Sequence, residues 1–228
     1  MKYFKNVKSY SVTWLANTYD KDTSQGTIAN YYLPETKEEF TELCRELYRK
    51  NEKFHVVGST SNVYIRPNTS FKHLISIRLL NRFYLDNDFM VCECGASVKR
   101  IVRRMVIDGI DGYACMIDLP GTIGGGVYGN AGVSRHSIVR QLKDVTVLLD
   151  NGSIRTFSPD DLGFTFRSSA LKRGELQGII LSCRLKRTPG NKKEIEDEAM
   201  MVHEWRKENQ PGAARNLGTT SLLSIAKP

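Results

Sequence analysis

Apolar residues recur with helical spacing in two parts of the chain. Between Glu35 and Lys50 they fall at i, i+3, i+4 and i+7 from Phe40, which predicts an amphipathic helix. The segment from Ala96 to Asp108 has the same period and predicts a second helix. A turn after Thr188 leads into a charged helix, which the sequence Gln210-Pro211-Gly212 should stop.

Short apolar runs bounded by turn residues predict strands. Asp150-Asn151-Gly152 separates two of these runs and predicts a hairpin, because Asn-Gly accepts positive φ angles. Since strands and helices mix without strict alternation, the pattern favours an α+β fold. The predicted strands are Phe54–Val57, Val63–Ile65, Leu74–Leu80, Phe89–Cys94, Leu142–Leu149, Ser153–Phe157 and Ile179–Leu185.

Two polar, glycine-containing stretches interrupt the pattern and are predicted to form loops. The first is GSTSN, from Gly58 to Asn62, and the second is DLPGTIGGGVYGNAGVS, from Asp118 to Ser134. Loops of this kind can present backbone N–H groups and short hydroxyls to a phosphate. Neither is a P-loop, because no GK[ST] follows, and the second lacks the strand and acidic partner of a Rossmann fingerprint. Two such loops on one chain favour ligand binding over structural turns.

Composition narrows the class of protein. The formal net charge of the 228-residue chain is +8. Its Lys and Arg residues are scattered along the chain and form no basic block, which argues against a nucleic-acid partner. Five cysteines without a CxxC pair imply neither a disulfide framework nor a zinc site, and the four histidines have no metal-ligand spacing. The N-terminus lacks a signal-peptide core and no apolar run could span a membrane, so we expect a cytoplasmic location without membrane attachment.

Four motifs resemble those of one family, the UDP-N-acetylenolpyruvoylglucosamine reductases (UDP-N-acetylmuramate dehydrogenase, MurB). VVGSTSN is similar to the family's glycine-serine-asparagine loop, and DLPGTIGGGVYGNAG to its I-P-G-T-x-G-G-x-x-x-N-A-G segment. DLGFTFRSSALK resembles F-x-Y-R-x-S-x-F-K, and RKENQP resembles R-x-x-Q-P. Their order and spacing match over about Thr18 to Gly218.

The resemblance implies a MurB-like, two-subdomain FAD-binding fold of the vanillyl-alcohol-oxidase type. We expect FAD-binding subdomains at residues 1–84 and 85–188, with a C-terminal helix and tail at 189–228. In the family a third, substrate-binding domain follows, and the resemblance ends before it. FAD and NADPH are the implied cofactor and electron donor, and a UDP-sugar is the implied substrate.

The resemblance also assigns roles to individual residues. Arg167 would stabilise the enolate charge that develops on the substrate. Thr219 falls where the family has a proton-donating serine, with Thr220 and Ser221 as alternatives. Phe166 stands where the family usually has tyrosine, and Ser59 and Thr60 replace two glycines of the first loop. The residues expected to hold FAD are Gly58, Ser59, Thr60, Ser61, Asn62, Pro120, Gly121, Thr122, Gly124, Gly125, Asn130, Ala131 and Gly132.

Alternatives to the ancestral activity stay open at this stage. The chain could retain the flavin and act on a different substrate, or serve as a non-catalytic flavin-binding partner in a homo- or hetero-oligomer. Cys92 and Cys94 are interpreted as core thiols and not as a redox pair. Met200 and Trp205 on the last helix are interpreted as core contacts.

Overall fold

The computed structural model of the protein describes residues 1–8, 26–63, 65–66, 68–86, 88–133 and 136–209. Within these ranges the strands form two larger sheets and one two-stranded ribbon. No helix in the described ranges is long and apolar enough to cross a bilayer.

The first sheet mixes antiparallel and parallel pairing. Its strand order is β1-β2-β4-β3, with β1 antiparallel to β2 and the other two neighbouring pairs parallel. Helix α1 (Lys37–Arg49) connects β2 to β3, and Thr36 caps its N-terminus by accepting a hydrogen bond from the Glu39 N–H. The strands are β1 (Lys2–Lys8), β2 (Thr27–Leu33), β3 (Phe54–Val57) and β4 (Phe71–Ser76).

The second sheet is wholly antiparallel, in the order β10-β9-β11-β6-β5. Gly152, at φ +81°, occupies the turn between β9 and β10, as the Asn-Gly signal predicts. The strands are β5 (Phe83–Asp86), β6 (Phe89–Glu93), β9 (Leu142–Leu149), β10 (Ile154–Phe157) and β11 (Gly178–Lys186), and the ribbon is β7 (Gly132–Val133) with β8 (His136–Ser137).

Four further helices pack around the second sheet. Ser97 caps α2 by accepting a hydrogen bond from the Arg100 N–H, and Ser169 caps α4 in the same way through the Lys172 N–H. The helices are α2 (Val98–Ile107), α3 (Ile123–Tyr128), α4 (Ala170–Arg173) and α5 (Lys192–Asn209). The main core cluster joins α1 to the second sheet, and all five cysteines are free and buried.

The last helix corrects one sequence interpretation. Met200 and Trp205 are exposed, with 62% and 55% of their surface accessible, so they are not core contacts. Only Ile195 and Ala199 of α5 are buried, because residues four apart share the inward face and residues 200 and 205 lie off it. The interpretation of Met200 and Trp205 was therefore wrong.

Candidate functional site

The two glycine-containing stretches meet in space. A Cβ atom at Gly58 would lie 2.3 Å from Thr122 Oγ1, and one at Gly121 would lie 3.2 Å from Ser61 Oγ. Gly121 also has a φ of +112°, a backbone conformation that residues with a side chain rarely adopt. The glycines at 58 and 121 therefore allow a close approach of two segments that are 60 residues apart in sequence.

The first stretch, residues 58–62, is a loop that follows β3. Thr60 has a φ of +53°, in the left-handed region, and its carbonyl accepts a hydrogen bond from the Val63 N–H. No hydrogen bond within the described ranges involves the backbone N–H groups of Ser59, Ser61 or Asn62. N–H groups without partners on both sides of a left-handed residue can contribute to the kind of concavity that binds anions.

The second stretch differs from the prediction, because residues 123–128 form helix α3 and not a loop. Gly124 N–H donates to the Cys94 carbonyl at 2.8 Å, and Ile123 N–H donates to the Ala96 carbonyl at 2.8 Å. A Cβ atom at Gly124 would lie 2.9 Å from the Cys94 carbonyl oxygen. The glycines here let α3 pack directly on the turn after β6, and these tertiary bonds offset the low helix propensity of glycine.

A cleft of about 760 Å³ opens between the two sheets at this junction. Three of the predicted site residues, Gly58, Gly124 and Gly125, line it. The sequence analysis missed its other walls, which combine polar residues with apolar or aromatic side chains. These include Tyr48, Phe54, Ile77, Tyr128, Leu171, Leu176 and Ile179.

A larger groove of about 890 Å³ lies between α1 and the hairpin turn at residues 150–152. None of the predicted site residues lines it. The smaller cleft therefore remains the candidate site, because it alone of the two is lined by residues of the glycine segments.

Arg167 is held against the end of the second stretch. Its Nη2 donates to the Gly132 carbonyl at 2.6 Å, and its Nη1 lies 3.5 Å from the Asn130 carbonyl oxygen. Its guanidinium lies 5.6 Å from the ring centroid of Phe166, which is 74% exposed. The structure thus brings the predicted catalytic arginine to the predicted flavin-binding segment.

Asn130 ties the same region together. Its Nδ2 donates to the Thr165 carbonyl at 2.7 Å, whereas its buried Oδ1 has no hydrogen-bond partner among the described residues. An unpartnered buried acceptor is costly, so a ligand donor would stabilise this position. The neighbouring Ala131 N–H donates to the Gly126 carbonyl at 2.7 Å, which joins the end of the segment to α3.

The remaining predicted residues have different outcomes. Pro120 is exposed on the approach to Gly121, while Thr122 is buried and caps α3 through the Gly125 N–H at 3.4 Å. Thr219 lies outside the described residues.

Backbone conformation marks the site independently of the motifs. Seven non-glycine residues within the described ranges have positive φ angles, and four of them are asparagines, which tolerate this region. The other three are Thr60, Asp118 and Arg167. All three lie in the motifs that the sequence singled out, and such strain concentrates at functional sites.

Sequence comparisons give the chain its relatives. A family model described as "FAD binding domain" matches residues 28–158. UDP-N-acetylenolpyruvoylglucosamine reductase 1 of Corynebacterium glutamicum is 30% identical, over 99% of this chain and 71% of the relative. The reductase of Streptococcus pneumoniae (strain JJA) is 28% identical, over 83% of this chain and 62% of the relative.

Solved structures agree with the sequence relatives. The UDP-N-acetylenolpyruvylglucosamine reductase (MurB) of Thermus caldophilus superposes with a TM-score of 0.71 at 26% identity, covering 92% of this chain and 71% of that one. Berberine bridge enzyme from Eschscholzia californica superposes at 0.59 and 15% identity, covering 84% and 42%, and shows a shared fold alone. The predicted α+β FAD-binding fold of the vanillyl-alcohol-oxidase type is confirmed.

Proposed function

Because the chain belongs to the family of UDP-N-acetylenolpyruvoylglucosamine reductases, which are FAD-dependent oxidoreductases, we propose that it transfers a hydride from NADPH through FAD to an enolpyruvyl UDP-sugar. The reaction would serve peptidoglycan precursor synthesis. The chain spans 71% of the corynebacterial relative and 62% of the streptococcal one.

One observation carries this proposal: the loop at 58–62 and the segment at 118–132 converge, and Arg167 binds the end of that segment. Gly58 lies against Thr122, and Arg167 donates to the Gly132 carbonyl. This convergence supports a site in which the loop would bind a pyrophosphate, the segment would line the cofactor and Arg167 would supply a cation.

The residues present fit a bound FAD. The N–H groups of Ser59, Ser61 and Asn62, which have no partner within the described ranges, would hold its pyrophosphate. The buried Asn130 Oδ1 would accept a hydrogen bond from an N–H or hydroxyl group of the cofactor. Bound FAD supplies the two-electron chemistry, since it can take a hydride from a nicotinamide and return it to a second substrate. The chain itself binds, orients and shields the reacting groups.

We assign Arg167 the stabilisation of negative charge on the substrate. The hydrogen bond to the Gly132 carbonyl, with the cation–π contact to Phe166, orients its guanidinium. A positioned cation of this kind stabilises the enolate charge that follows hydride transfer to the vinyl carbon. Thr219 remains our proposal for the proton donor, because its hydroxyl matches the serine of the motif.

The finer assignments belong to the same proposal. NADPH would be the donor, a UDP-sugar the small-molecule partner and the cytoplasm the location. The division into units at residues 1–84, 85–188 and 189–228 also stays a proposal, as does assembly with a second copy or another chain.

The test follows the flavin spectrum under anaerobic conditions. NADPH should bleach the bound FAD, and UDP-N-acetylglucosamine enolpyruvate should restore its absorbance. In Arg167→Met, bleaching should proceed at a similar rate, whereas reoxidation by the sugar should slow by about 100- to 1000-fold, the usual loss for one electrostatic group. Arg173→Met is the matched control, since Arg173 also donates to a backbone carbonyl, that of Gly163 at 2.9 Å.

Three results would contradict parts of the proposal. Protein that takes up no FAD would overturn the flavin site. Flavin that NADPH bleaches but the sugar does not reoxidise would exclude this substrate and favour a different one. Equal slowing in the Arg167 and Arg173 variants would remove the special role of Arg167.

A further inference from the structure

Asp118 opens the second glycine segment in a left-handed conformation. Its φ is +61°, and its carboxylate side chain is only 16% exposed. Two cations of α2 bind the same carboxylate oxygen, Lys99 Nζ at 2.9 Å and Arg103 Nη2 at 3.0 Å. The other oxygen lies 2.5 Å from Nδ1 of His203, on α5.

Helix α2 also holds the other end of this short turn. The Val98 N–H donates to the Gly121 carbonyl at 3.1 Å, and Ser97 forms a β-bridge with Thr122. Residues 118–121 are therefore fixed at both ends by the first turns of one helix. Gly121, at the far end, is the residue that faces Ser61 of the other loop.

The groups around Asp118 lower the pKa of its carboxyl. Burial alone would raise the pKa of this carboxyl, but hydrogen bonds from Lys99 and His203 and the charges of Lys99 and Arg103 lower it to about 2. The carboxylate is thus ionised at any pH at which the protein would be studied. A partly buried carboxylate with three partners is held far more firmly than an exposed ion pair.

We propose that Asp118 is a positioning residue for the cofactor: its ion pairs with α2 and α5 hold the turn at 118–121 in the conformation that sets Gly121 against Ser61 and fixes the FAD-binding gap. The proposal rests on FAD binding between the two loops. It differs from the motif-based assignments, which begin at Pro120, and it makes α2 and α5 part of the cofactor support.

Asp118→Asn tests the charge while keeping size and tolerance of positive φ. Asp108→Asn is the matched control. Asp108 ends the same helix and pairs with Arg104 at 2.9 Å and Arg187 at 3.5 Å, but it has an ordinary φ of −78° and touches neither glycine segment. Each variant removes one carboxylate charge that pairs with two cations of Lys or Arg, at least one of them on α2.

Three quantities should be measured for each variant: the Kd for FAD by fluorescence quenching, the visible circular dichroism of bound FAD, and the melting temperature of cofactor-free protein. We expect Asp118→Asn to raise the Kd about tenfold, a cost of about 1.4 kcal/mol, and to alter the dichroism. Asp108→Asn should leave the Kd and the dichroism unchanged, whatever it does to the melting temperature.

A double-mutant cycle with Arg103→Met sharpens the test, and Arg103→Met alone is the milder variant should Asp118→Asn fold poorly. If the ion pair acts on the cofactor, the two changes should weaken FAD binding by less together than the sum of their separate effects. An unchanged Kd in both single variants would overturn the proposal, as would equal shifts in Asp118→Asn and Asp108→Asn. Wild-type protein that binds no FAD would instead contradict the proposed function.

Discussion

The loop at residues 58–62 and the segment at residues 118–132 share glycines and hydroxyls, yet their backbones are used differently. In the loop, the N–H groups of Ser59, Ser61 and Asn62 have no partners within the described ranges. In the segment, Ile123 and Gly124 donate to the backbone after β6. Within the described ranges these loop donors are available to a ligand, whereas the segment uses its donors to hold itself in place.

This difference separates two reasons for glycine. Gly124 is needed because protein backbone lies within 3 Å of where its side chain would begin. Gly58 is needed because the second segment approaches it, through Thr122. Both glycines are therefore required by packing, one against backbone and one against a side chain, and the two requirements can be told apart by substitution.

The largest effect should come from Gly124→Ala. The new methyl would lie 2.9 Å from the Cys94 carbonyl oxygen, so α3 or the turn after β6 must move. We expect the free energy of unfolding of the cofactor-free protein to fall by about 1–3 kcal/mol, measured by urea denaturation.

Gly125→Ala provides the control on the same helix. Gly125 is exposed, and its Cβ would meet only Thr122 Oγ1, at 3.3 Å. Because alanine favours a helix over glycine by about 1 kcal/mol, the free energy of unfolding of Gly125→Ala should equal or exceed that of the wild type. Equal destabilisation by both variants would mean that packing on Cys94 is not what requires glycine at 124.

Gly58→Ala should have a smaller effect on stability and a clearer one on FAD. Its methyl would displace Thr122 Oγ1, which caps α3, at a cost of about 1 kcal/mol. Because the two segments must separate, the Kd for FAD should rise several-fold, as measured by fluorescence quenching. If the contact is the cause, Thr122→Ala should lower the free energy of unfolding by less in the Gly58→Ala background than in the wild type. Strict additivity would contradict this explanation.

Local signals account for the parts of the fold that sequence could predict. Strands β3 and β9 have the predicted bounds, and α2 lies within the predicted segment because Ser97 can cap it and its apolar residues share one face. The hairpin follows from Gly152 at positive φ. In each case, residues within a few positions of each other determine the structure.

Long-range contacts account for what sequence could not predict. Helix α3 contains three glycines and forms because of bonds to residues 94 and 96, which lie about 30 positions earlier. Strand β4 spans Phe71–Ser76 and not 74–80, since its register is set by pairing with β2 and β3. The ion pairs of Asp118 likewise join three separate elements, and no local pattern marks them.

The smallest predicted effect concerns Thr60, where the motif resemblance implies a glycine in the family. Its φ of +53° is unfavourable for a β-branched residue, but its side chain is buried at 7% exposure. Relief of strain by Thr60→Gly should raise the free energy of unfolding by about 1–2 kcal/mol. The added freedom of the unfolded chain should lower it by about 0.5–1 kcal/mol. We therefore expect a net gain of about 0.5 kcal/mol in urea denaturation, with the Kd for FAD unchanged because the proposed donors are backbone groups.

Asn51→Gly is the control that isolates strain at Thr60. Asn51 has the same φ of +53°, yet asparagine tolerates this conformation, so its replacement should give no gain. If Thr60→Gly instead lowers stability, contacts of its buried side chain outweigh the strain, and this chain has replaced a flexible glycine with a packed residue. If it raises stability as expected, the protein retains a strained residue at position 60. This residue lies among the three N–H groups that have no partner within the described ranges.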